Sequence, residues 1–279
     1  MAQLQDVLRF AAFSDGDAGG NPAGVLIAGR LPGPEEMQRI AAQVGFSETA
    51  FAAPEAGTWR VRYFAPEREV AFCGHATIAL GAALAQRQGD GVFPLELNGG
   101  RITVEGRREG DLFAAALQSP PTRSAPADPA LVHEALFMLG YDQWDLDTRI
   151  PPALAHGGVD HLVLALVARR RLAAMRYDLE EGRDLMNRAG LVTICLVQAE
   201  SPTRFHARNA FASGGVYEDP ATGAAAAALA GYLRDLGWPH GGAIEITQGE
   251  DMGQRSRLRA EIPPGKGSSI RVSGTARQM

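Results

Sequence analysis

Cysteine is scarce: Cys73 and Cys195 are the only two in 279 residues. Two thiols make no disulfide framework, and they fit a reducing compartment. No apolar run reaches membrane-spanning length. The opening MAQLQDVLRF lacks the basic stretch and long apolar core of a secretory leader, so a cytoplasmic protein is expected. Basic blocks are absent and the formal net charge is −5, which argues against nucleic acid or an anionic membrane as partner. The six histidines are scattered without ligand spacing, so no metal site is expected. No strand–GxGxxG–helix and no P-loop occurs, so no nucleotide cofactor is implied.

What is present centres on Tyr217-Glu218-Asp219-Pro220-Ala221-Thr222-Gly223 and the alanine run of 224–228. Asp219 is an N-cap residue type and Pro220 suits a first helical position, so a helix is expected to start there. It is apolar on every face until Tyr232, Arg234 and Asp235, the mark of a buried helix. A helix start offers unpaired N–H groups to an anion.

The pattern recurs 145 residues earlier, where Cys73-Gly74-His75-Ala76-Thr77 leads another small, apolar run. At that shift Thr77 meets Thr222, Gly74 meets Asp219, Cys73 meets Glu218 and Glu48 meets Thr193. This reads as a duplicated domain in which each half keeps one acid, Glu48 in the first and Asp219 in the second. The Pro-rich stretch 119–129 cannot continue a helix or an inner strand and marks the junction. The lobes are therefore 1–118 and 119–279, with the last strand free to pack on the first.

Strands are expected at 7–13, 25–28, 59–64, 93–97, 101–105, 112–117, 161–167, 191–197, 244–248, 257–262 and 269–276. Helices are expected at 34–44, 129–139 and 178–189, beside the two apolar ones. Asn21, in Gly20-Asn21-Pro22, reads first as a turn residue. Glu48 stands in Ser47-Glu48-Thr49-Ala50-Phe51, a segment that otherwise calls for burial. Burial fits a carboxylate to general acid–base work, although a lone glutamate is more often solvated. His75 suits either a hydrogen bond to substrate or a cap on its own helix. Cys73 is an acid–base thiol or small core filler. A cleft between the halves would join Glu48, His75 and Asp219.

These residues resemble the PhzF-like family, the phenazine-biosynthesis isomerases related in fold to diaminopimelate epimerase. The likeness rests on Gly20-Asn21-Pro22-Ala23-Gly24-Val25, Ser47-Glu48-Thr49-Ala50-Phe51, Phe64-Ala65-Pro66 with EVAFCGHAT, GVYEDPATG, Gln248-Gly249, Met252-Gly253 and Val272-Ser273-Gly274. It implies an α+β fold of two pseudo-symmetric lobes, each a mostly antiparallel sheet or barrel around a central helix. It also implies a homodimer, a small carboxylic acid as substrate, and neither metal nor organic cofactor. Catalytic roles carry over to Glu48, His75 and Asp219, and substrate contacts to Asn21, Ser47, Gly74, Gly223, Ala224 and Gln248. The implied reaction is a proton or double-bond shift with Glu48 as base and acid. An epimerase or racemase, and a non-catalytic acid-binding or scaffold protein, stay open beside it. One departure stands out: family isomerases read DPATGS, and here Ala224 follows Gly223, so a substrate-facing hydroxyl is missing. The relatives with paired cysteines use two thiols symmetrically, and at the 145-residue shift this chain has no such pair.

Overall fold

The computed structural model describes residues 4–279; Met1–Gln3, which open the stretch read above as lacking a leader, lie outside the described residues. The chain is α+β and divides into two units. One runs through Gln118 and takes in Ser273–Met279, and the other is Ser119–Val272. No helix among the described residues is long and apolar enough to cross a membrane.

In the first unit, Leu8–Ser14 pairs antiparallel with Asn21–Ile27, which runs parallel to Thr49–Glu55. The parallel step requires a crossover, and Pro34–Val44 supplies it as a helix. Gly33 and Gly45 cap that helix, while Met37, Ile40 and Ala41 are buried. Thr49–Glu55 pairs with Thr58–Phe64, then follow Gly91–Leu97, Gly100–Glu109 and Leu112–Gln118. The final strand, Arg271–Gln278, pairs with Leu8–Ser14 and with Leu112–Gln118, which closes the sheet on itself. The helix Gly74–Gln88 packs inside, buried from Gly74 to Ala85. Its small residues are a geometric requirement. A Cβ on Gly106 would sit 2.1 Å from the carbonyl oxygen of Gly81, so strand and helix touch backbone to backbone.

The second unit repeats the plan. Arg123–Pro126, Ala153–His156 and Asp160–Ala165 pair antiparallel, and the last runs parallel to Thr193–Ser201. Helices Arg169–Ala173 and Leu179–Ala189 fill that crossover, the latter capped by the side chain of Asp178. Arg204–Ala210, Ala243–Gln248 and Ser256–Glu261 complete the sheet. The helix Gly223–Leu236 is its buried centre. A satellite core lies outside the sheet, built by Leu136, Leu139, Leu164, Leu172, Leu185 and Met186, which pack Pro129–Leu139 and Leu179–Ala189 down.

Three expectations change. Asp219 is not an N-cap and Pro220 does not open the helix. Glu218–Asp219 is a short strand against Asn209 and Ala210, and the helix starts at Gly223 with Thr222 as its N-cap residue. Strand pairing outweighs the local capping preference. Asn21 is not in a turn: it begins a strand, opposite Ala12, with Pro22 opposite Ala11. The Pro-rich stretch does carry a strand, Arg123–Pro126, held by Ala153–His156.

Candidate active site

Glu48 ends the crossover of the first unit. Its carbonyl oxygen accepts from the Gly24 amide at 3.2 Å, which ties it to the strand Asn21–Ile27. The residue is 6% exposed, and one carboxylate oxygen, Oε2, is buried without a hydrogen-bond partner. That oxygen lies 3.4 Å from Nε2 of His75, close enough for an ion pair but not aligned for a hydrogen bond. Orphaned buried carboxylate oxygens are costly, and folds keep them where chemistry needs them.

His75 is the second residue of the buried helix Gly74–Gln88 and is itself 4% exposed. The Ser47 hydroxyl lies 3.4 Å from its Nε2, and the Cys73 sulfur 3.3 Å from its Nδ1. Cys73 occupies the N-cap position and its side chain caps nothing. The helix start is pinned from below instead. Thr77 Oγ1 donates to the Cys73 carbonyl at 2.7 Å, so the buried Tyr63 hydroxyl, 2.7 Å away, donates to Thr77. Burial raises the Tyr63 pKa and keeps it a phenol. Glu48, Ser47, Gly74 and His75 are therefore one cluster, with Asn21 on the neighbouring strand, 2% exposed.

In the second unit, Asp219 is 4% exposed and sits in a turn that closes on itself. Thr222 Oγ1 donates to Asp219 Oδ2 at 2.6 Å. Gln248 donates to the Asp219 carbonyl at 2.8 Å and to Thr222 Oγ1 at 3.0 Å, and accepts from the Thr222 amide at 3.2 Å. Gln248 thus spends both amide hydrogens inside the turn. Gly249 follows at φ +72°, where a Cβ would meet the Gln254 and Pro220 carbonyl oxygens at 2.4 and 2.7 Å. Gly223 and Ala224 form the first turn of the helix and are buried.

A buried polar row runs across the strands beside Asp219. His161 Nδ1 is 2.8 Å from Thr193 Oγ1, which donates to Asn209 Oδ1 at 2.9 Å. Asn209 stands directly opposite Asp219, so their side chains share a face. Because the Thr193 hydroxyl hydrogen is committed, His161 Nδ1 is the donor in that pair, and Nε2 is buried without a partner. Burial lowers the His161 pKa to about 3 and raises that of Cys195 to about 12. Nothing in the sequence marks this row: a His, a Thr and an Asn far apart in the chain form no motif. The Cys73 sulfur beside the His75 ring was equally unmarked, since in the sequence Cys73 reads as an acid–base thiol or as core filler.

A family model, phenazine biosynthesis-like protein, matches residues 10–279. The chain belongs to that family. An uncharacterized isomerase of Deinococcus radiodurans is 35% identical over 271 residues, covering 94% of this chain and 88% of its own. The trans-2,3-dihydro-3-hydroxyanthranilate isomerase of Pseudomonas aeruginosa is 32% identical over 271 residues, covering 94% of this chain and 93% of its own. The crystal structure of a PhzF-family protein of Bacillus anthracis superposes with a TM-score of 0.85 at 22% identity, covering 98% and 96% of the two chains. The chain is accordingly an isomerase of this family, and the non-catalytic reading is set aside.

Proposed function

We propose that the protein moves a proton between two carbons of a small unsaturated carboxylic acid, shifting a double bond, with Glu48 as base and then acid. The buried, unpartnered Oε2 of Glu48 carries this reading. An oxygen that holds no donor has its lone pairs free to take a proton from a carbon acid. His75, beside it, steadies charge that develops on a substrate oxygen. The uncapped N–H groups at Gly74 and His75 suit the substrate's carboxylate. Asp219 is proposed as a substrate-contacting acid in its own right, held in one rotamer by Thr222. Gln248 positions that turn. Ser47 and Asn21 add polar contacts in the first unit, and Gly223 and Ala224 in the second. In the first unit the residue before Gly74 is a thiol, and in the second Ala224 supplies no hydroxyl, so the acid bound differs in shape from one chosen by a serine there.

The first substrate to try is trans-2,3-dihydro-3-hydroxyanthranilate, named for the Pseudomonas relative. The reaction is run in heavy water and followed by mass spectrometry, parent against Glu48→Gln. Solvent deuterium entering the product of the parent, and a loss of about 100-fold or more in the variant, is the expected result. Equal incorporation in both overturns the assignment. Epimerisation is the second reading, favoured by the Cys73 thiol 3.3 Å from His75 as another proton carrier. It would show as loss of optical rotation with bond connectivity unchanged.

A further inference from the structure

We propose that Glu48, Cys73 and His75 form a binding site for a thiophilic divalent cation of the zinc type, and that its occupancy shuts off the isomerase. The inhibition rests on the reading of Glu48 as base; the binding does not.

The donor set is a carboxylate, a thiol and an imidazole. Their ligand atoms lie within 4.8 Å of one another and all three residues are buried. Zinc takes these three donor types, at about 2.3 Å from sulfur and about 2.0 Å from nitrogen or oxygen. Tetrahedral angles then put the sulfur–nitrogen and nitrogen–oxygen edges at roughly 3.5 and 3.3 Å. The corresponding distances are 3.9 Å from Cys73 Sγ to His75 Nε2 and 3.4 Å from His75 Nε2 to Glu48 Oε2. Cys73 Sγ sits nearer Nδ1, at 3.3 Å, so the Cys73 side chain must rotate toward Nε2 to complete the set. Independently of the distances, Glu48 Oε2 is buried and lacks a hydrogen-bond partner, so a ligand-bonding direction is left over at the cluster. Charge balance agrees. A thiolate and a carboxylate around a neutral imidazole cancel a divalent cation, which removes most of the penalty of placing it in a dry site. Three protein donors leave the fourth zinc position open. The helix start opposes a cation but favours the thiolate that binds it.

Binding forms three coordinate bonds and releases the thiol proton to solvent. It also occupies the oxygen that would accept the substrate's proton. A metal ion and a proton cannot hold Oε2 together, so the cation blocks proton transfer, and it takes up His75 Nε2 as well.

The test uses cobalt(II) as a coloured stand-in, then zinc. Cobalt titrated into the full-length parent protein is expected to give a thiolate-to-cobalt charge-transfer band in the near ultraviolet. Cys73→Ser is expected to lose that band, Glu48→Gln to weaken cobalt binding about 100-fold, and Cys195→Ala to keep both. Thermal melts of each variant confirm that it is folded, and Cys73→Ala repeats the result with a second side chain. Zinc is expected to inhibit parent turnover, a chelator to restore it, and Cys73→Ser to raise the inhibitory concentration about 100-fold relative to its own zinc-free rate. A parent without the band, a band that survives Cys73→Ser, or cobalt binding undiminished in Glu48→Gln overturns the site. A zinc-loaded parent that turns over at full rate overturns the inhibition. A parent that shows the complete cobalt signature but isomerises no acid supports the site and overturns the catalytic reading instead.

Discussion

Oε2 of Glu48 lies 3.4 Å from Nε2 of His75, yet the two form no hydrogen bond. The pair is buried on both sides, with side-chain exposures of 8% and 5%. Such proximity without alignment leaves the carboxylate for substrate and keeps the ring beside the developing charge. His75→Asn retains a donor at shorter reach. It is expected to lower kcat by about 10-fold to 100-fold with a smaller change in KM, since the interaction is made mostly in the transition state. Steady-state kinetics on the same acid check it. A change confined to KM would place His75 in ground-state binding.

Thr222 holds Asp219 and is held by Gln248. Thr222→Val keeps the shape and deletes one donor and one acceptor in a buried turn. Chemical denaturation is expected to show a loss of about 1–3 kcal/mol, with Thr222→Ser restoring most of it. If Asp219 contacts substrate, the valine variant also loses turnover beyond what its stability explains, and serine rescues both. Stability falling with turnover unchanged would make the turn structural only.

The duplication was legible in the sequence, but its register at the turn was not. Pro34–Val44 and Leu179–Ala189 keep the 145-residue shift. Beyond the strands Thr58–Phe64 and Arg204–Ala210, the connection grows from 65–68 to 211–217, and a turn of 3-10 helix, Ala212–Gly214, fills it. From there Cys73 matches Thr222, Gly74 matches Gly223, and His75 matches Ala224, each as N-cap or first-turn residue. Asp219 then matches Val70, not Gly74, by strand pairing. Alanine runs look alike at any nearby shift, so the sequence could not mark the inserted residues. A chemical match confirms the structural one. Arg62 clasps Glu69 through two hydrogen bonds, and Arg208 clasps Glu218 in the same way at the same strand positions. Glu48 was readable because a charged residue interrupts an apolar segment. Tyr63, Thr77, Thr193 and Asn209 were not, because a polar residue on a strand or a buried helix carries no sign of which buried partner it will meet.

His161 should set part of the acid sensitivity. It is fully buried, and burial lowers its pKa from 6.5 to about 3. Above pH 6.5 neither folded nor unfolded chain is protonated there, so it contributes no pH dependence. As pH falls below 6.5 the unfolded chain takes up a proton that the folded chain refuses, and stability drops until about pH 3. The slope from one such proton is about 1.4 kcal/mol per pH unit. His240, lowered by burial too, adds in the same direction, so the variant and not the parent curve isolates His161. His161→Gln keeps a donor toward Thr193 without titrating. Urea unfolding from pH 7 to 5 is expected to show a flatter pH dependence in the variant, and parallel curves would refute the buried neutral imidazole.

Gly157 presses on the start of the second central helix. A Cβ there would stand 2.4 Å from the Ala224 carbonyl oxygen and 2.7 Å from the Ala228 amide nitrogen. Both are backbone atoms of a helix already enclosed by sheet, so neither can rotate aside. Gly157→Ala is therefore expected to cost at least the roughly 1–3 kcal/mol typical of overpacking. Gly29→Ala is the matched control, because nothing lies within 4 Å of its Cβ and its φ is not positive. It is expected to be neutral or to stabilise by up to about 1 kcal/mol through the unfolded chain. The two variants differ by one methyl each, so their melting curves separate steric contact from the general effect of replacing glycine. The strained contact falls on Ala224, in the first turn of the helix. Turnover of Gly157→Ala measured well below its melting transition should consequently fall, while Gly29→Ala keeps the parent rate. Full activity in a destabilised Gly157→Ala would show that the helix start has no part in substrate binding.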